Sequence, residues 1–340
     1  MGNNNSAITY PNGLSFELNI ENSTACITES PKAQDDILIP HSISNMSKEF
    51  IVIELKNNAF KNNNHIKSIK FDENSQVNAI GKGAFLDSSI ESISIPSKVT
   101  QIGDYSFALC KKIKTLEFQD DSLLQNFGKF SFYTSSIEKV KFPNLVEQIG
   151  QAFFFNCTKL KTVEFTEKSQ LKIIDNYAFS GSSIEKVSIP SNVQRIGDLC
   201  FFGCLGLRRI EIKNDSKLTM INKCCFLGTR INYILIPSQV QKICKQAFSY
   251  CTCLKKVEFV SDSKLNMIKK EAFFNDAIVS FSFPKSVKKI CFKAFACCKN
   301  LLCEEFLGDD LFIEKLAFEN CENLSVVSFP NATKISCSID

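Results

Sequence analysis

Cysteine is the residue type with the greatest chemical potential in this chain, since 16 of the 340 residues are cysteines. Thiols can form disulfides, ligate zinc or act as nucleophiles, and each of these uses requires partners at a suitable spacing. Five cysteines recur at a constant step of 47 residues: Cys110, Cys157, Cys204, Cys251 and Cys298. This regularity indicates that the cysteines belong to a repeated structural unit, so their chemistry depends on what that unit is.

The spacing of the cysteines supports neither a zinc site nor an active site. Structural zinc sites typically contain CxxC pairs, whereas this chain has Cys251-Thr-Cys253 and no CxxC. Its two histidines, His41 and His65, lie near the N-terminus and away from most cysteines. Signatures such as GxSxG, HExxH and the phosphate-binding loop are absent from the sequence. We therefore expect no metal, no cofactor and no enzymatic activity.

The 47-residue step extends to other residue types and sets the architecture. It relates five prolines and two series of phenylalanines, which include Phe107, Phe154 and Phe201. Twelve short runs of alternating apolar residues, from Ile66–Phe71 to Leu324–Phe329, start 23 or 24 residues apart. Their β-branched and aromatic residues with period two predict strands. Self-similarity at a fixed period is typical of a stack of equivalent coils.

Each predicted strand is followed by a segment that ends in an aromatic anchor and has room for one or two helical turns. A repeat of this length, with one strand and a short return, is typical of leucine-rich repeats. We therefore predict an α/β repeat solenoid. It is a leucine-rich-repeat superhelix with one short parallel strand and a short helical or irregular return per 23–24-residue repeat. The anchor phenylalanines should form an internal spine, because a single coil cannot bury its own apolar side.

Residues at equivalent positions of successive repeats, which we call columns, predict local roles. Val187 and Ile189 should point inward, and Lys186 and Ser188 outward, because side chains alternate along a strand. The proline column should mark where strand pairing stops. Serines that recur every 47 residues, such as Ser216, should cap local turns with their hydroxyls. Glycine recurs at one turn position, but other residues replace it there in several repeats, so a left-handed backbone is not required.

The repeat argues against a disulfide framework. Cysteines 47 residues apart lie two coils apart, about 9.6 Å at the spacing of parallel strands, whereas a disulfide requires Cα atoms about 4.4–6.8 Å apart. We expect small buried thiols instead. Two pairs on adjacent coils remain open as bridges: Cys200 with Cys225, and Cys298 with Cys321.

The pattern IGxxAFxxCxxLxxVxF/IP, present at Ile102–Cys110 and in related form at Gly197–Leu207, resembles the BspA-like, or treponemal-type, leucine-rich repeat. The resemblance covers roughly Ile53 to Pro330. Proteins of this type are similar to surface antigens of oral bacteria and to large families in parasitic protists. The resemblance implies a solenoid used for adhesion or other protein binding, and it implies no catalytic residues.

Parallel stacking should align the outward side chains into one ribbon on the concave strand face, which is the predicted site for a protein partner. Tyr233 with Leu235 interrupts an otherwise charged ribbon and suits a binding hot spot. A merely solvated face with cross-strand charge pairs is the open alternative. The candidate residues are Thr115, Glu117, Lys139, Lys141, Thr162, Glu164, Lys186, Ser188, Arg209, Glu211, Tyr233, Leu235, Lys256 and Glu258.

The predicted organisation is an N-terminal cap over residues 1–35, the repeat solenoid over residues 36–330 and a C-terminal tail over residues 331–340. The net charge of +4 gives no basic field that would predict nucleic-acid binding. We expect no transmembrane segment, because no stretch approaches the roughly 20 apolar residues of a membrane span. The start Met1-Gly2-Asn-Asn-Asn-Ser6 matches a myristoylation pattern, although one acyl chain anchors a protein only marginally.

Two functions follow from these observations. The leading prediction is a non-enzymatic, surface-antigen-like or adhesion-like protein, and its location at the cell surface or outside the cell is implied by the family resemblance. The alternative is an intracellular leucine-rich-repeat scaffold for protein–protein interaction. The absence of an apolar N-terminal signal and the many unpaired thiols favour this cytoplasmic alternative.

Overall fold

The computed structural model describes residues 5–302, 310–324 and 334–335 of the chain. These residues form short strands joined by turns, and no helix occurs among them. The chain divides into two compact units, Met1–Gln170 and Leu171–Asp340, which are described separately below.

Unit one contains fifteen strands, most of them two to six residues long. In chain order they are Asn5–Thr9 (β1), Ser15–Asn19 (β2), Thr24–Ile27 (β3), Asp35–Ile39 (β4), Ser42–Asn45 (β5), Lys48–Leu55 (β6), Ile66–Phe71 (β7), Ala79–Ile80 (β8), Ser92–Ile95 (β9), Gln101–Ile102 (β10), Thr115–Phe118 (β11), Asn126–Phe127 (β12), Lys139–Lys141 (β13), Gln148–Ile149 (β14) and Thr162–Glu164 (β15).

Two sheets run through unit one. The repeat strands β4, β7, β9, β11, β13 and β15 are neighbours in that order. The second sheet of unit one has the strand order β1, β2, β3, β6, β8, β10, β12 and β14, with β5 paired to β6. The strands of the region predicted as an N-terminal cap, β1 to β3, pair antiparallel, and β3 then pairs in parallel with β6. The cap role itself remains a prediction.

Unit two contains the strands of the later repeats among the described residues. They are Ile173–Ile174 (β16), Lys186–Ile189 (β17), Arg195–Ile196 (β18), Arg209–Ile212 (β19), Met220–Ile221 (β20), Tyr233–Ile236 (β21), Lys242–Ile243 (β22), Lys256–Phe259 (β23), Met267–Ile268 (β24), Ser280–Phe281 (β25), Lys289–Ile290 (β26), Phe312–Ile313 (β27) and Lys334–Ile335 (β28). The repeat strands pair as β17 with β19 and as β21, β23 and β25. The two-residue strands pair as β16 with β18 and in the order β20, β22, β24, β26, β27 and β28.

The prediction of a single strand per repeat is wrong, and of the two predicted forms of the return, helical or irregular, the helical one is not found in the described residues. Each coil carries a second strand of two residues, such as β10, followed by a run of turns. In the return that contains Phe107, Tyr105 and Leu109 adopt positive φ angles of 57° and 61°. Alternate N–H groups therefore point along the stack, and the N–H of Phe107 donates to the carbonyl of Ser131 in the next coil at 2.8 Å. A helix would direct all of these groups along its own axis, so hydrogen bonding between coils replaces it.

The anchor phenylalanines form the predicted spine in each unit. In unit one, the rings of Phe85 and Phe107 stack with centroids 5.1 Å apart and planes 5° apart. In unit two, Phe201 stacks on Phe179 at 5.1 Å and on Phe226 at 5.4 Å. These rings are fully buried. The spine joins successive coils through aromatic stacking, which adds to the free energy of apolar burial.

The repeated cysteine is a buried thiol that joins adjacent coils. The Sγ of Cys110 donates to the carbonyl oxygen of Phe85 at 2.9 Å, and the Sγ of Cys204 donates to that of Phe179 at 3.0 Å. All cysteines that the structure describes are free. The bridges left open, Cys200 with Cys225 and Cys298 with Cys321, are therefore not formed.

The repeated glycine is explained by close approach between coils. Gly103 does not have a positive φ, as the substitutions in its column indicated. A Cβ atom at Gly103 would lie 2.5 Å from the backbone nitrogen of Lys82 in the preceding coil, and one at Gly128 would lie 2.2 Å from that of Asp104. Glycine is therefore needed here because two backbones meet.

The proline and serine columns have their predicted local geometry. Strands β9, β17 and β21 end at the residue before Pro96, Pro190 and Pro237, respectively, since proline has no N–H for the next ladder bond. Two successive repeats make up one 47-residue cassette, and in the repeat without the proline the hydroxyl of Ser216 accepts the N–H of Leu218 at 3.3 Å. Each column therefore sets where a strand ends or a turn closes.

Candidate binding face

The outward side chains of the repeat strands form one face in each unit, which we call the outer strand face. In unit one, Thr115 of β11 lies opposite Lys139 of β13, and Lys139 lies opposite Thr162 of β15. Lys141 lies opposite Glu164. The alternation of the sequence thus places these candidate residues side by side, and all of them are exposed or half-buried.

In unit two the same face begins with strands β17 and β19. Lys186 lies opposite Arg209, and Ser188 lies opposite Glu211. Between them Val187 is buried, as period-two alternation requires. These four polar side chains are exposed.

Tyr233 and Leu235 continue this face on strand β21, opposite Lys256 and Glu258 of β23. The Tyr233 hydroxyl donates to Oε2 of Glu258 at 2.7 Å, and Glu258 also forms an ion pair with Lys256. This hydrogen bond raises the pKa of Tyr233, while those from Lys256 and Tyr233 lower the pKa of Glu258. Tyr233 is 40% exposed, so its ring is held in place with one side open to solvent.

Charge pairing accounts for part of this face. Lys139 Nζ lies 3.1 Å from Glu164 Oε1 across strands β13 and β15. Both side chains are about half exposed, and such pairs contribute roughly 0.2–1 kcal/mol. Ion pairing therefore contributes little to stability here and leaves the face polar and open.

A groove runs beside the outer strand face of unit one. It has a volume of about 810 Å³, and Thr115, Glu117 and Lys141 contribute to its lining. The loop that follows β11 also lines the groove, and its Leu123 is 47% exposed. Pro143, which follows β13, completes the apolar part of the lining.

Unit two has a groove of about 770 Å³ at the corresponding place, two cassettes further along the chain. Glu211 retains the glutamate of Glu117, whereas Arg209 stands in the position of Thr115. Tyr233 and Leu235 stand in the positions of the two lysines of β13. The groove therefore belongs to the repeat, while its chemistry differs from one cassette to the next.

Loop residues form a part of this site that was not predicted from the sequence. Asp120, Asp121 and Leu123 line the unit-one groove, and Asp215 lines that of unit two. All of them follow the strand of the repeat without the proline, which has two more residues between its strand and its anchor phenylalanine than the other repeat of the cassette. The greater length of this connection is the feature of the sequence that could have predicted the loop residues of the groove, because a longer connection can extend beside the strand face.

The thiols contribute no reactive centre to this site. Burial raises the pKa of Cys110 to about 11 and that of Cys204 to about 12, so both stay protonated near neutral pH. No group of three potential metal ligands occurs among the described residues. Gly2, the predicted lipidation site, lies outside those residues, and no helix within them is long and apolar enough to cross a bilayer.

The repeated strands, stacked anchors and outward faces define a leucine-rich-repeat β-solenoid of about twelve turns. The profile of the BspA type leucine rich repeat region matches the chain over residues 40–161, 125–255 and 172–302. The chain therefore belongs to the BspA type leucine rich repeat family. No catalytic family is indicated, and a comparison with curated proteins found no match.

Solved bacterial structures share this fold. A leucine-rich repeat protein from Bacteroides ovatus is 23% identical, with a TM-score of 0.69 over 96% of this chain and 89% of that chain. A leucine rich cell surface protein from Faecalibacterium prausnitzii is 21% identical, with a TM-score of 0.53 over 98% and 96%. The pneumococcal vaccine antigen PcpA is 19% identical, with a TM-score of 0.53 over 97% and 93%. At these identities the likeness concerns the fold.

Proposed function

We propose that this protein is a non-enzymatic binding solenoid that engages a protein partner through its outer strand face. The observation that carries the proposal is the setting of Tyr233, which is 40% exposed on strand β21 and lines a groove with Leu235. An ordered aromatic side chain contributes a large contact area at little entropic cost, which is why tyrosine is enriched in hot spots.

The polar surroundings suit the same role. Lys256 lies opposite Tyr233 on β23, Arg209 lines the same groove, and Glu258 accepts the hydrogen bond of the Tyr233 hydroxyl. An apolar centre with a charged rim is the usual anatomy of a protein interface. The rim would set the register of the partner, while Tyr233 and Leu235 would supply most of the binding free energy.

We further propose that the chain acts as a surface-antigen-like or adhesion-like protein. Two proteins that share its fold are a cell surface protein and a vaccine antigen. The second candidate is an intracellular scaffold, which the free thiols favour because cysteines in oxidising compartments usually pair. Labelling of intact source cells with an impermeant reagent separates the two, since a surface protein is labelled and a scaffold is not.

A double variant tests the proposed contact. Tyr233→Ala with Leu235→Ser should weaken the capture of a source-derived protein partner by tenfold or more, since hot-spot residues contribute about 2 kcal/mol or more each. The matched control is Thr219→Ala with Gln241→Ala, two exposed positions on the opposite side of unit two. If both double variants bind the partner as the native chain does, Tyr233 and Leu235 do not form the contact.

A further inference from the structure

Positive charge is concentrated in one stretch of unit two. Between Arg208 and Lys299 the sequence has 18 lysines and arginines but 6 aspartates and glutamates, whereas the whole chain has a net charge of +4. This stretch has an excess of 12 positive charges, whereas the rest of the chain has a net charge of −8, so a positive field forms over part of the surface.

The repeat aligns three of these lysines at one corner of the coil. Each of them lies two residues after the end of a two-residue strand, and the three coils are consecutive. They are Lys223, Lys245 and Lys270. The carbonyl of each accepts a hydrogen bond from the preceding coil, at 2.9, 3.0 and 3.1 Å, respectively. We call these residues the corner lysines. All three are exposed, and their backbones are about 4.8 Å apart along the stack.

The adjacent two-residue strands add alternating apolar and basic side chains. Met220 of β20 lies opposite Lys242 of β22, which lies opposite Met267 of β24, and Met267 lies opposite Lys289 of β26. Met220 is 38% exposed, and the other three side chains are half-buried. These four side chains and the corner lysines form what we call the basic face.

Much of this charge is not neutralised within the protein. Lys270 lies 3.4 Å from Glu271, and Lys289 forms an ion pair with Glu314 at 2.6 Å. Three lysines of the basic face, and Lys269 directly before Lys270, form no ion pair within the described part of the chain. The three are Lys223, Lys242 and Lys245.

The corner of unit one shows that the fold does not require these lysines. The same hydrogen bonds between coils place Lys82, Asp104, Lys129 and Gln151 in successive coils there. Asp104 lies between the two lysines and the neutral Gln151 follows them, so positive charge does not accumulate in that column. The basic face is therefore a property of unit two and not of the repeat.

We propose that the basic face binds the anionic surface of a phospholipid membrane. Lysines near such a surface are attracted to its headgroups, and their contributions add up across a face. The interleaved methionines favour a membrane over a linear polyanion. Exposed apolar side chains can enter the boundary between headgroups and acyl chains, whereas they have no comparable contact in a sulfated glycan or a nucleic acid.

Vesicle co-sedimentation of the full chain tests the proposal. We expect binding to vesicles of phosphatidylcholine with about 30% phosphatidylserine, weakening with added salt, and little binding to phosphatidylcholine alone. The triple variant Lys223→Gln, Lys245→Gln and Lys270→Gln should lower the partition coefficient about 100-fold, since each lysine contributes about fivefold. The matched control, Lys61→Gln, Lys82→Gln and Lys129→Gln, removes the same charge from unit one and should bind as the native chain does.

A second variant separates a membrane from a soluble polyanion. Met220→Ser with Met267→Ser should weaken binding to the anionic vesicles and leave binding to heparin unchanged. The proposal is overturned if the native chain does not bind the anionic vesicles, or if both lysine variants lose binding equally. It is also overturned if the methionine variant binds the vesicles as tightly as the native chain, because the ligand is then a polyanion without an apolar surface.

Discussion

The buried carboxyl of Asp276 accepts a hydrogen bond through Oδ1 from the backbone N–H of Cys251 at 2.7 Å. Asp276 occupies a column that holds Ser88, Ser135 and Ser182 in unit one and the start of unit two, and then Thr229. In that column the Ser88 hydroxyl lies 3.5 Å from Sγ of Cys110. The second oxygen of Asp276, Oδ2, has no hydrogen-bond partner in the described part of the chain. A carboxyl thus stands where the serines and Thr229 of this column have a hydroxyl, and only one of its two oxygens is hydrogen-bonded.

Asp276 should make unit two less stable as the pH rises. Burial raises its pKa well above the usual range, because the charged form loses its hydration. Above about pH 4 the unfolded chain releases this proton while the folded chain keeps it. The free energy of unfolding then falls by up to about 1.4 kcal/mol per pH unit until the folded carboxyl ionises. Below about pH 4 both states are protonated and this contribution is constant.

The comparison of native chain and Asp276→Asn isolates this effect from other carboxyl groups. The gap between their urea midpoints should widen in favour of the variant from about pH 4 upward. Asp276→Thr, which restores the residue type of Thr229, should show the same trend. Parallel midpoint curves for the native chain and both variants would mean that Asp276 ionises with a normal pKa.

Removal of one ring from the spine should destabilise unit two strongly. Phe201→Ala leaves a cavity between Phe179 and Phe226 and should cost about 3–5 kcal/mol. Phe202→Ala, at a neighbouring ring that is 41% exposed, should cost less than about 1 kcal/mol. Urea unfolding followed by circular dichroism measures both, and equal losses would contradict the spine as the main source of stability.

Two glycines of one column should differ in their tolerance of a methyl group. A Cβ at Gly128 would lie 2.2 Å from the backbone nitrogen of Asp104, whereas the nearest atom to one at Gly150 is the carbonyl oxygen of Gly128 at 3.1 Å. Gly128→Ala should therefore lower stability by about 1–3 kcal/mol, and Gly150→Ala by less. The same thermal shift for both variants would exclude close approach between coils as the reason for this column.

The buried thiols should resist alkylation until the protein unfolds. Burial raises the pKa of Cys157 to about 12, so about one molecule in ten thousand carries its thiolate at pH 8. Iodoacetamide labelling read by mass spectrometry should modify Cys253, which is half-exposed, long before Cys157. In urea all cysteines should react, including Cys200 and Cys225. Protection of that pair in urea without reductant would reveal a disulfide.

The features that side-chain type determines were predictable from the sequence. Alternation placed Val187 inside and Lys186 outside, the anchor column predicted the stacking of Phe85 and Phe107, and the serine column predicted its turn. Each of these features depends on one local interaction of a side chain: its contact with water, its stacking on another ring or its hydrogen bond to a nearby N–H. The same interaction recurs in many repeats, which makes it recognisable in the sequence.

The return and the grooves were not predictable in the same way. The strand Gln101–Ile102 is too short to carry a period, and nothing about Tyr105 or Leu109 as residue types indicates a positive φ. Hydrogen bonding to the next coil selects that backbone. The groove also depends on how far the loop with Leu123 extends beside β11. Tertiary packing determines that distance, and the residue types of the loop do not.

The hydrogen bonds that the anchor phenylalanines of the returns donate between coils point the same way within each unit. Phe85 donates to Ser106 and Phe107 to Ser131 in unit one, and Phe226 donates to Ala247 in unit two, always from an earlier coil to a later one. Their peptide dipoles therefore add along the stack, with the positive pole toward the C-terminal end. In an α-helix the positive pole lies at the N-terminus, so this wall of turns is polarised in the opposite sense relative to the chain direction.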